Sequence, residues 1–296
     1  MNMIRAAIYG FGNIGRFVLD TLLVDPDFTV VGIVSQSCSE AFVEGVPVVR
    51  SVDALGAVDV AIVCSCSRDV PAVVKKLLSK GISTVDSFDI HSQIAELRKT
   101  LDPVAKEAGA VSIISAGWDP GSDSVIRALL EAMAPKGITY TNFGPGMSMG
   151  HTVAAKAIPG VKDALSMTVP LGSSVHRRVV YVELESGATL EEVTAKLKAD
   201  AYFAHDETHV IQVSDVAVLR DFGHGVDLTR KGVSGQTHNQ NFRFTMSVHN
   251  PALTAQILVS SARAAMKQSP GCYTLIEVPI IDLLSGDRDE IIRRLV

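Results

Sequence analysis

The sequence of 296 residues has few cysteines and no long apolar run. Its 4 cysteines include no C-x-x-C pair, which argues against a disulfide framework, a zinc knuckle and a dithiol redox centre. No apolar segment approaches the roughly 20 residues needed to span a bilayer, and the first residues lack the layout of a signal peptide. These absences predict a cytoplasmic protein with no membrane partner.

Basic runs are also missing. The chain carries 27 Lys and Arg residues against 32 Asp and Glu residues, a formal net charge of -5. Because positive charge is not concentrated anywhere, a nucleic-acid partner is not expected. The chain does have enough apolar residues for a hydrophobic core, since 47% of its residues are hydrophobic. Its length suits two domains.

A glycine-rich turn, Gly10–Gly15, has the spacing G-x-G-x-x-G. It follows the strand-like run Ile4–Tyr9 and precedes Arg16–Leu23, whose spacing is helical, and Phe28–Val34 predicts a second strand. In such a turn the glycines allow a tight bend, close approach of a pyrophosphate and packing of helix on strand. We therefore predict dinucleotide contacts at Gly10, Gly12, Asn13, Ile14 and Gly15.

The residues after the second strand bear on which dinucleotide fits. NAD-selective domains carry an acidic residue here that binds the ribose hydroxyls, whereas this chain has Ser35, Gln36 and Ser37. These neutral donors favour the 2′-phosphate of NADP, although no Arg follows the strand to give a charge-assisted contact. Arg50 and Arg68 lie further along the chain and are the candidates for that charge.

Three further strands are predicted to end at the same sheet edge, where ligands bind in open α/β sheets. Val58–Cys64 has the continuous apolar character of a buried parallel strand, and Ser65, Cys66 and Ser67 follow it near the expected nicotinamide. Ser83–Asp86 is the next strand, and Asp89 comes shortly after it.

The third of these strands, Ala110–Ile114, leads into Gly117-Trp118-Asp119-Pro120-Gly121, and Ser122–Met133 then predicts a helix. Asp89 and Asp119 are therefore expected to face one pocket as a pair of carboxylates. The alternatives are structural: Asp89 caps the following helix, and Asp119-Pro120-Gly121 simply favours a turn.

The second half of the chain changes pattern. Ile138–Phe143 predicts a strand leaving the first domain, and the glycine-rich Gly144–His151 predicts a lining loop without regular structure. Grouped strands with few crossover helices then indicate an α+β lobe. The expected antiparallel strands are Ala164–Val169, Arg178–Leu184, His209–Val216 and Asn241–Val248, with a helix at Leu190–Lys198, and the C-terminal elements are a helix at Pro251–Gln268, a strand at Tyr273–Val278 and a helix at Asp287–Leu295.

These patterns predict a nucleotide-binding domain over residues 1–120, a second domain over residues 121–250, and a segment over residues 251–296 that returns to the first. Two histidines, His205 and His209, have an i, i+4 spacing, but no third ligand is evident and no metal site is predicted. His224 lies between two glycines and is expected to be an exposed site residue.

In combination, these segments resemble the meso-diaminopimelate dehydrogenase family in its shorter form. The resemblance runs essentially from end to end. It is carried by Val85–Asp89, Ala116–Gly121, Phe143–His151, Met167–Pro170, Gly223–Gly225 and His249–Thr254. It implies an α/β fold with a Rossmann-type parallel sheet and a second α+β domain for substrate binding and dimerisation, and hence a homodimer.

The activity implied by the resemblance is NADP-dependent and reversible. It is the oxidative deamination of the D-centre of meso-2,6-diaminopimelate to L-2-amino-6-oxopimelate and ammonia, in lysine and cell-wall precursor metabolism. Family members often have an Arg after the second strand, and its absence here leaves selectivity between NADP and NAD open.

The resemblance also implies roles for individual residues. Asp89 and Asp119 hold the reacting amine, with Asp119 the first candidate for the general base. The remaining pocket residues surround the substrate or hold its distal L-centre, and they are Trp118, Phe143, Met149, Gly150, Thr168, Arg178, His224 and Asn250. Two alternatives stay open: a related amine or D-amino acid dehydrogenase with a smaller substrate, and a non-catalytic NADP-sensing protein.

Overall fold

The computed structural model describes residues 3–221 and 223–296. The chain divides into two compact units, one comprising the described residues up to Ile126 together with Pro251–Val296, the other comprising Arg127–Asn250. The division falls inside a helix, Ser122–Met133, and not at residue 120 as expected from the sequence. The first turns of this helix belong with the first unit because Val125 packs on that unit's apolar core.

The regular elements alternate between strands and helices through the first third of the chain and are richer in strands afterwards. As far as α4 they are β1 Ile4–Tyr9, α1 Asn13–Val24, β2 Phe28–Val34, β3 Phe42–Val43, β4 Val46–Val49, β5 Val60–Val63, α2 Val70–Leu78, β6 Ser83–Asp86, α3 Ile94–Glu107, β7 Val111–Ile113 and α4 Ser122–Met133. The remainder are β8 Lys136–Phe143, β9 Gly146–Met147, α5 Met149–Lys156, β10 Val161–Gly172, β11 Val175–Leu184, α6 Leu190–Ala199, β12 Glu207–Gln212, β13 Gly223–Ser234, β14 His238–His249, α7 Asn250–Ala265, β15 Gly271–Tyr273 and α8 Arg288–Leu295.

The first unit is built on one sheet with the strand order β15-β7-β6-β5-β1-β2-β4-β3. Its pairings are parallel except for the antiparallel β3–β4 pair. Apolar side chains of α1 and α7 cover one face and those of α2 and α3 cover the other, so the central strands are apolar on both sides. The carboxyl ends of the parallel strands therefore meet at a single edge.

Two features of this unit differ from the sequence expectation. The short strands β3 and β4 have 2 and 4 residues, too few for a periodic pattern to predict them. The expected strand Tyr273–Val278 ends after its first residue. Thr274 and Glu277 form a capping box there, which starts a 3-10 turn in place of a longer strand.

The second unit contains two sheets, β12-β11-β10-β9 and β14-β13-β8. Most of their pairings are antiparallel, as the sequence predicted, but β11 and β12 are parallel. The expectation was wrong for this pair because α6 connects the two strands and provides the crossover that a parallel pairing requires. Side chains of α5 and α6 pack on the four-stranded sheet around Val180 and Val182.

Glycine-rich stretches account for the remaining differences. The segment Gly144–His151, expected to be irregular, contains β9 and the start of α5. Gly146 lies so close to β13 that a Cβ atom at this position would overlap the Gly223 carbonyl oxygen. Strand β13 was not predicted because its glycines interrupt the alternating pattern. Across the part of the chain that the structure describes, no helix has the length and apolar character of a membrane span.

Candidate active site

The glycine-rich turn connects β1 to α1 with the geometry expected of a diphosphate cradle. A Cβ atom on Gly15 would overlap the Gly10 carbonyl oxygen, whereas one on Gly12 would meet no atom within 4 Å. Gly12 stands at the N-cap of α1, and no acidic residue lies in the first helical turn. Open space next to helix N-terminal amides suits an anionic group. The residues present therefore fit the diphosphate of a dinucleotide.

The loop after β2 places the three predicted ribose-side residues in different environments. Ser35 is buried, and its Oγ accepts a hydrogen bond from the Cys38 amide at 3.1 Å. Gln36 and Ser37 are exposed, and the Gln36 Nε2 donates to the Arg50 carbonyl at 2.6 Å. The Ser35 hydroxyl thus stabilises the loop, and the exposed Gln36 and Ser37 present their side chains to solvent.

The loop after β5 is connected to Asp89. The Ser67 Oγ donates to the Asp89 Oδ1 at 2.7 Å and accepts from the Asp89 amide at 3.3 Å. Ser65 is half-buried and Cys66 is exposed in the same loop. Helix α3 has Gln93 at its N-cap position, so Asp89 lies outside the cap. Ser67 therefore joins a predicted cofactor loop to a predicted catalytic carboxylate.

Asp119 lies in a turn between β7 and α4. The Ser122 and Asp123 amides donate to the Gly117 and Trp118 carbonyls at 3.1 and 3.0 Å, which closes the turn. The Asp119 side chain is 12% exposed, and its Oδ2 lies 4.0 Å from the His91 Nε2. Trp118 is buried. Because β6 and β7 are neighbours, Asp89 and Asp119 follow adjacent strand ends at one edge of the sheet.

Asp86 holds both of these loops, and sequence reasoning did not assign it a role. Its Oδ1 accepts from the amides of Phe88 at 2.9 Å and Ser115 at 3.1 Å, and its carbonyl accepts from Ala116 at 2.7 Å. Burial raises the pKa of Asp86 to about 6. The only sequence signal is an Asp that ends a short, otherwise uncharged strand. Its position links the Asp89 loop to the Asp119 loop.

In the second unit, Arg178 is held by two side chains. Arg178 and Thr168 are cross-strand neighbours in β11 and β10, and the Arg178 Nη1 donates to the Thr168 Oγ1. The Arg178 Nε donates to the Asp206 Oδ2 at 2.6 Å, and the Arg178 side chain is 14% exposed. Groups on β10 and just before β12 therefore orient the guanidinium. The sequence gives no signal for the contact between Asp206 and Arg178.

Helix α5 begins with the predicted residues Met149 and Gly150, after Ser148 at the N-cap. The Ser148 Oγ lies 2.8 Å from the His151 Nδ1, and the His151 ring contacts Tyr202 and Phe203 edge-on, with centroid distances of 5.3 Å for both. Desolvation lowers the pKa of His151 to about 3, and the positive charge of Arg178 also lowers it. A neutral imidazole therefore stands near the guanidinium.

The short strand β9 connects the other predicted residues of this unit. Gly146 pairs with Thr168, and the Met147 carbonyl accepts from the Asn250 Nδ2 at 3.2 Å. His224 lies beside β9 in β13. It is only 7% exposed, so the expectation of an exposed histidine was wrong: it pairs with Val248 of β14, and Gly146 of β9 packs against its main chain. Thr168, His224 and Asn250 therefore contact β9, Met149 and Gly150 follow it in the chain, and Arg178 is connected to it through Thr168.

Phe143 ends β8, where the structure fixes its backbone through a second histidine. The Phe143 amide donates to the His176 Nε2 at 2.8 Å, and the two rings are 5.5 Å apart. Phe143 is half-buried. The sequence alone gives no role for His176. Its contact with Phe143 depends on pairing between segments that are distant in the sequence.

Comparison with known proteins gives a consistent result. A family model described as the diaminopimelic acid dehydrogenase C-terminal domain matches residues 117–175. The meso-diaminopimelate D-dehydrogenase of Bacteroides fragilis is 62% identical over 299 residues, covering 100% of both chains. This similarity spans the glycine-rich turn as well as the second unit.

Solved structures agree with the sequence comparison. The C. glutamicum DAP dehydrogenase in complex with DAP is 29% identical, with a TM-score of 0.90 and coverage of 100% of both chains. An engineered D-amino acid dehydrogenase bound to NADP+ is 27% identical, with a TM-score of 0.89 and the same coverage. The predicted α/β class with a Rossmann-type sheet and a second domain is confirmed. The chain belongs to the meso-diaminopimelate D-dehydrogenase family.

Proposed function

We propose that the protein is an NADP-dependent oxidoreductase that deaminates the D-centre of meso-2,6-diaminopimelate to L-2-amino-6-oxopimelate and ammonia, reversibly. The observation that carries this proposal is full-length identity of 62% with a meso-diaminopimelate D-dehydrogenase. It is supported by the two carboxylates that follow adjacent strand ends and by the arginine of the second unit. A substrate with two ammonium and two carboxylate groups needs binding groups of both charges.

The cofactor residues follow the strand ends of the first unit. When bound, NADP+ supplies the acceptor for the hydride that leaves the D-carbon. The diphosphate is bound at the turn formed by Gly10, Gly12, Asn13, Ile14 and Gly15. The turn leaves open space for it, and the amides at the start of α1 donate to it. The loops that complete this site are Ser35, Gln36 and Ser37 on the ribose side and Ser65, Cys66 and Ser67 on the nicotinamide side.

Asp89 and Asp119 bind the reacting amine. The Ser67 hydroxyl orients the Asp89 carboxylate through its Oδ1, so we assign Asp89 to anchoring the reacting amine, whose ammonium form loses one proton to solvent before the hydride leaves the D-carbon. Asp119 is the general base that takes a proton as water adds to the iminium carbon. The positive charge that develops on the substrate nitrogen is stabilised by both carboxylates, which is the main electrostatic contribution of the protein.

The residues of the second unit bind the distal L-centre. Arg178 presents a planar guanidinium that suits the distal carboxylate, and Thr168 and Asp206 orient it. We assign His224 and Asn250 to the same L-centre of the substrate. Recognition of the distal amino acid group fixes which of two chemically similar centres reacts, because positioning decides which C–H bond meets the acceptor. We assign Trp118, Phe143, Met149 and Gly150 to further contacts with the substrate.

We further propose that the protein acts as a cytoplasmic homodimer. All four cysteines, Cys38, Cys64, Cys66 and Cys272, are free thiols, as suits a reducing compartment. Among the described strands β14 pairs only with β13, and this 12-residue edge is available for a second copy of the chain. Sedimentation equilibrium of the purified protein tests the dimer, and a concentration-independent monomer mass contradicts it.

Reduction of cofactor by the purified protein tests the reaction directly. We expect NADPH to accumulate with meso-diaminopimelate and NADP+ at alkaline pH, and much less with D-lysine or D-alanine. Faster reduction with either smaller amino acid contradicts the assigned substrate and favours an amine or D-amino acid dehydrogenase. Cofactor binding without reduction on any of the three favours a sensing protein.

A further inference from the structure

The loop that follows β2 has no arginine of its own, but the sheet brings one to it. Strand β4 pairs in parallel with β2, with Ile33 opposite Val48 and Val34 opposite Val49. Parallel neighbours end at the same edge, so Arg50, the residue directly after β4, reaches the edge beside Ser35. The arginine is 15 positions from Ser35 in the sequence and adjacent to it in space.

Three hydrogen bonds join this loop to the end of β4, and two of them involve Arg50. The Arg50 Nη1 donates to the Ser35 carbonyl at 2.7 Å, and the Gln36 Nε2 donates to the Arg50 carbonyl at 2.6 Å. The Ser35 amide donates to the Val49 carbonyl at 3.0 Å. The loop and the end of β4 therefore form one hydrogen-bonded unit that includes the guanidinium.

The charge environment of Arg50 differs from that of other arginines in the same unit. Arg5, Arg98 and Arg263 each form an ion pair with a carboxylate. Within residues 3–221 and 223–296, no carboxylate oxygen lies within 4.0 Å of the Arg50 side-chain nitrogens. Arg50 is exposed, and its planar guanidinium has further N–H donors that match the geometry of a phosphate.

The same loop is tied to the diphosphate turn. The Gly10 amide donates to the Val34 carbonyl at 2.8 Å, so the turn that accepts the diphosphate and the start of the Ser35 loop are hydrogen-bonded neighbours. In dinucleotide-binding sheets the adenosine ribose lies at the end of the second strand. Arg50 therefore stands where a phosphate on the ribose 2′-oxygen would need a cation.

We propose that Arg50, with Gln36 and Ser37, binds the 2′-phosphate of NADP and replaces the arginine that is missing after β2. This inference rests on the proposed function only in taking NADP as the cofactor. The cation is supplied by the β3–β4 hairpin and not by the loop itself. The serines and glutamine of the loop then provide neutral donors around a charge-assisted contact.

Binding of nucleotide fragments to the full-length protein tests the proposal without any turnover. Isothermal titration with adenosine 2′,5′-bisphosphate and with 5′-AMP isolates the contribution of the 2′-phosphate. We expect the wild-type protein to bind the bisphosphate about tenfold tighter or more, which corresponds to about 1.4 kcal/mol. In Arg50→Gln, which keeps a donor for the Ser35 carbonyl but lacks the charge, the two affinities should fall within about threefold of each other.

The 5′-AMP affinity is an internal check on the folded loop, and it should stay within about twofold of wild type in Arg50→Gln. Arg68→Ala is the matched control, since Arg68 is an exposed arginine on a neighbouring loop at the same sheet edge. It should leave the preference for the bisphosphate unchanged. An undiminished preference in Arg50→Gln, or an equal loss in Arg68→Ala, overturns the proposal.

The outcome is separable from that of the proposed reaction. A wild-type protein with no preference for the bisphosphate overturns the role of Arg50, while reduction of NADP+ or NAD+ by meso-diaminopimelate still decides the reaction. Loss of the preference in Arg50→Gln supports the role of Arg50 even if the substrate proves to be a different amine.

Discussion

The two units fix their proposed substrate-binding groups in different ways. In the first unit, Asp89 and Asp119 follow strand ends, and main-chain hydrogen bonds to Asp86 hold both loops. In the second unit, Arg178 and His224 lie within strands, and Arg178 is oriented by the side chains of Thr168 and Asp206. The loops that carry the anionic groups are therefore anchored through their main-chain amides, whereas the cationic group is oriented by its neighbours' side chains.

The two sites should therefore respond differently to substitution of a neighbouring residue. A loop held by main-chain contacts keeps its path when a neighbouring surface residue changes, and the loss on mutation is confined to the chemistry of the substituted group. A guanidinium held by side chains changes its orientation when a partner is removed. Substitutions in each unit can test this contrast.

The largest effect is expected for Asp119→Ala. If Asp119 is the general base, kcat/KM for meso-diaminopimelate should fall roughly a hundredfold, within the range that positioned proton transfer contributes. His91→Ala removes the imidazole 4.0 Å from Asp119 and should change kcat/KM less than twofold, because the turn is closed by main-chain bonds. Steady-state kinetics of both folded variants provide the check. Near-normal turnover of Asp119→Ala would remove this residue from the mechanism.

Acid stability tests the neutral imidazole of the second unit. Desolvation and the charge of Arg178 lower the pKa of His151 to about 3, while Asp206 and Asp200 oppose this shift. The unfolded chain, with a histidine pKa of about 6.5, therefore binds a proton that the folded chain does not, and the free energy of unfolding falls as pH drops below about 6.5.

Between about pH 7 and about pH 5, this protonation should cost the wild-type protein about 2 kcal/mol more of unfolding free energy than it costs His151→Gln. Urea unfolding at the two pH values measures the difference. His238→Gln, a substitution on exposed β14, should keep the wild-type loss. Equal losses in wild type and His151→Gln would show that His151 is not the group responsible.

Arg178→Ala should act mainly on substrate binding. We expect KM for meso-diaminopimelate to rise roughly tenfold with little change in kcat, as for removal of a contact made equally in the ground and transition states. Arg177→Ala is a matched control, since Arg177 is the preceding residue and pairs with Glu207. Initial rates over a range of substrate concentrations separate the two parameters. An unchanged KM in Arg178→Ala would place the distal anchor elsewhere.

The smallest effect is expected at Asp86. Asp86→Leu removes the acceptor for two amides and should lower kcat about fivefold by displacing the Asp89 and Asp119 loops, whereas Asp86→Asn keeps an acceptor oxygen and most of the activity. Thr84→Val, which removes the buried hydrogen bond to Ser112 in the same strands, should lower stability without lowering kcat. Equal kcat in all three variants would mean that Asp86 does not position the loops.

The sequence predicted the first unit well because its signals are local. The bounds of Phe28–Val34, Ser83–Asp86 and Ser122–Met133 agree with the structure. Ser122–Met133 has a clear helical period, and Phe28–Val34 is a short, mainly apolar run bounded by turn residues. Parallel strands separated by helices then require the loops after them to share one edge, which is why the positions of Asp89 and Asp119 could be expected.

The features that escaped prediction depend on pairing between distant segments. The burial of His224 depends on its pairing with Val248 and on the close approach of Gly146, and the Arg178–Asp206 pair joins residues 28 positions apart. Arg50 could be named as a candidate from the sequence. Its contact with the Ser35 loop could not be predicted, because β3 and β4 are too short to show a periodic pattern.

In the strand order of the sheet, the proposed 2′-phosphate site at Arg50 lies far from the proposed amine site at Asp89. Three strands, β5, β1 and β2, stand between β6, which precedes Asp89, and β4, which precedes Arg50. At about 4.8 Å per strand, this spacing is well beyond the range in which substitutions usually influence one another. A variant adapted to NADH by changes in the β3–β4 hairpin should therefore retain its stereochemical preference. Gains in kcat/KM made separately near Arg50 and near Asp89 should multiply.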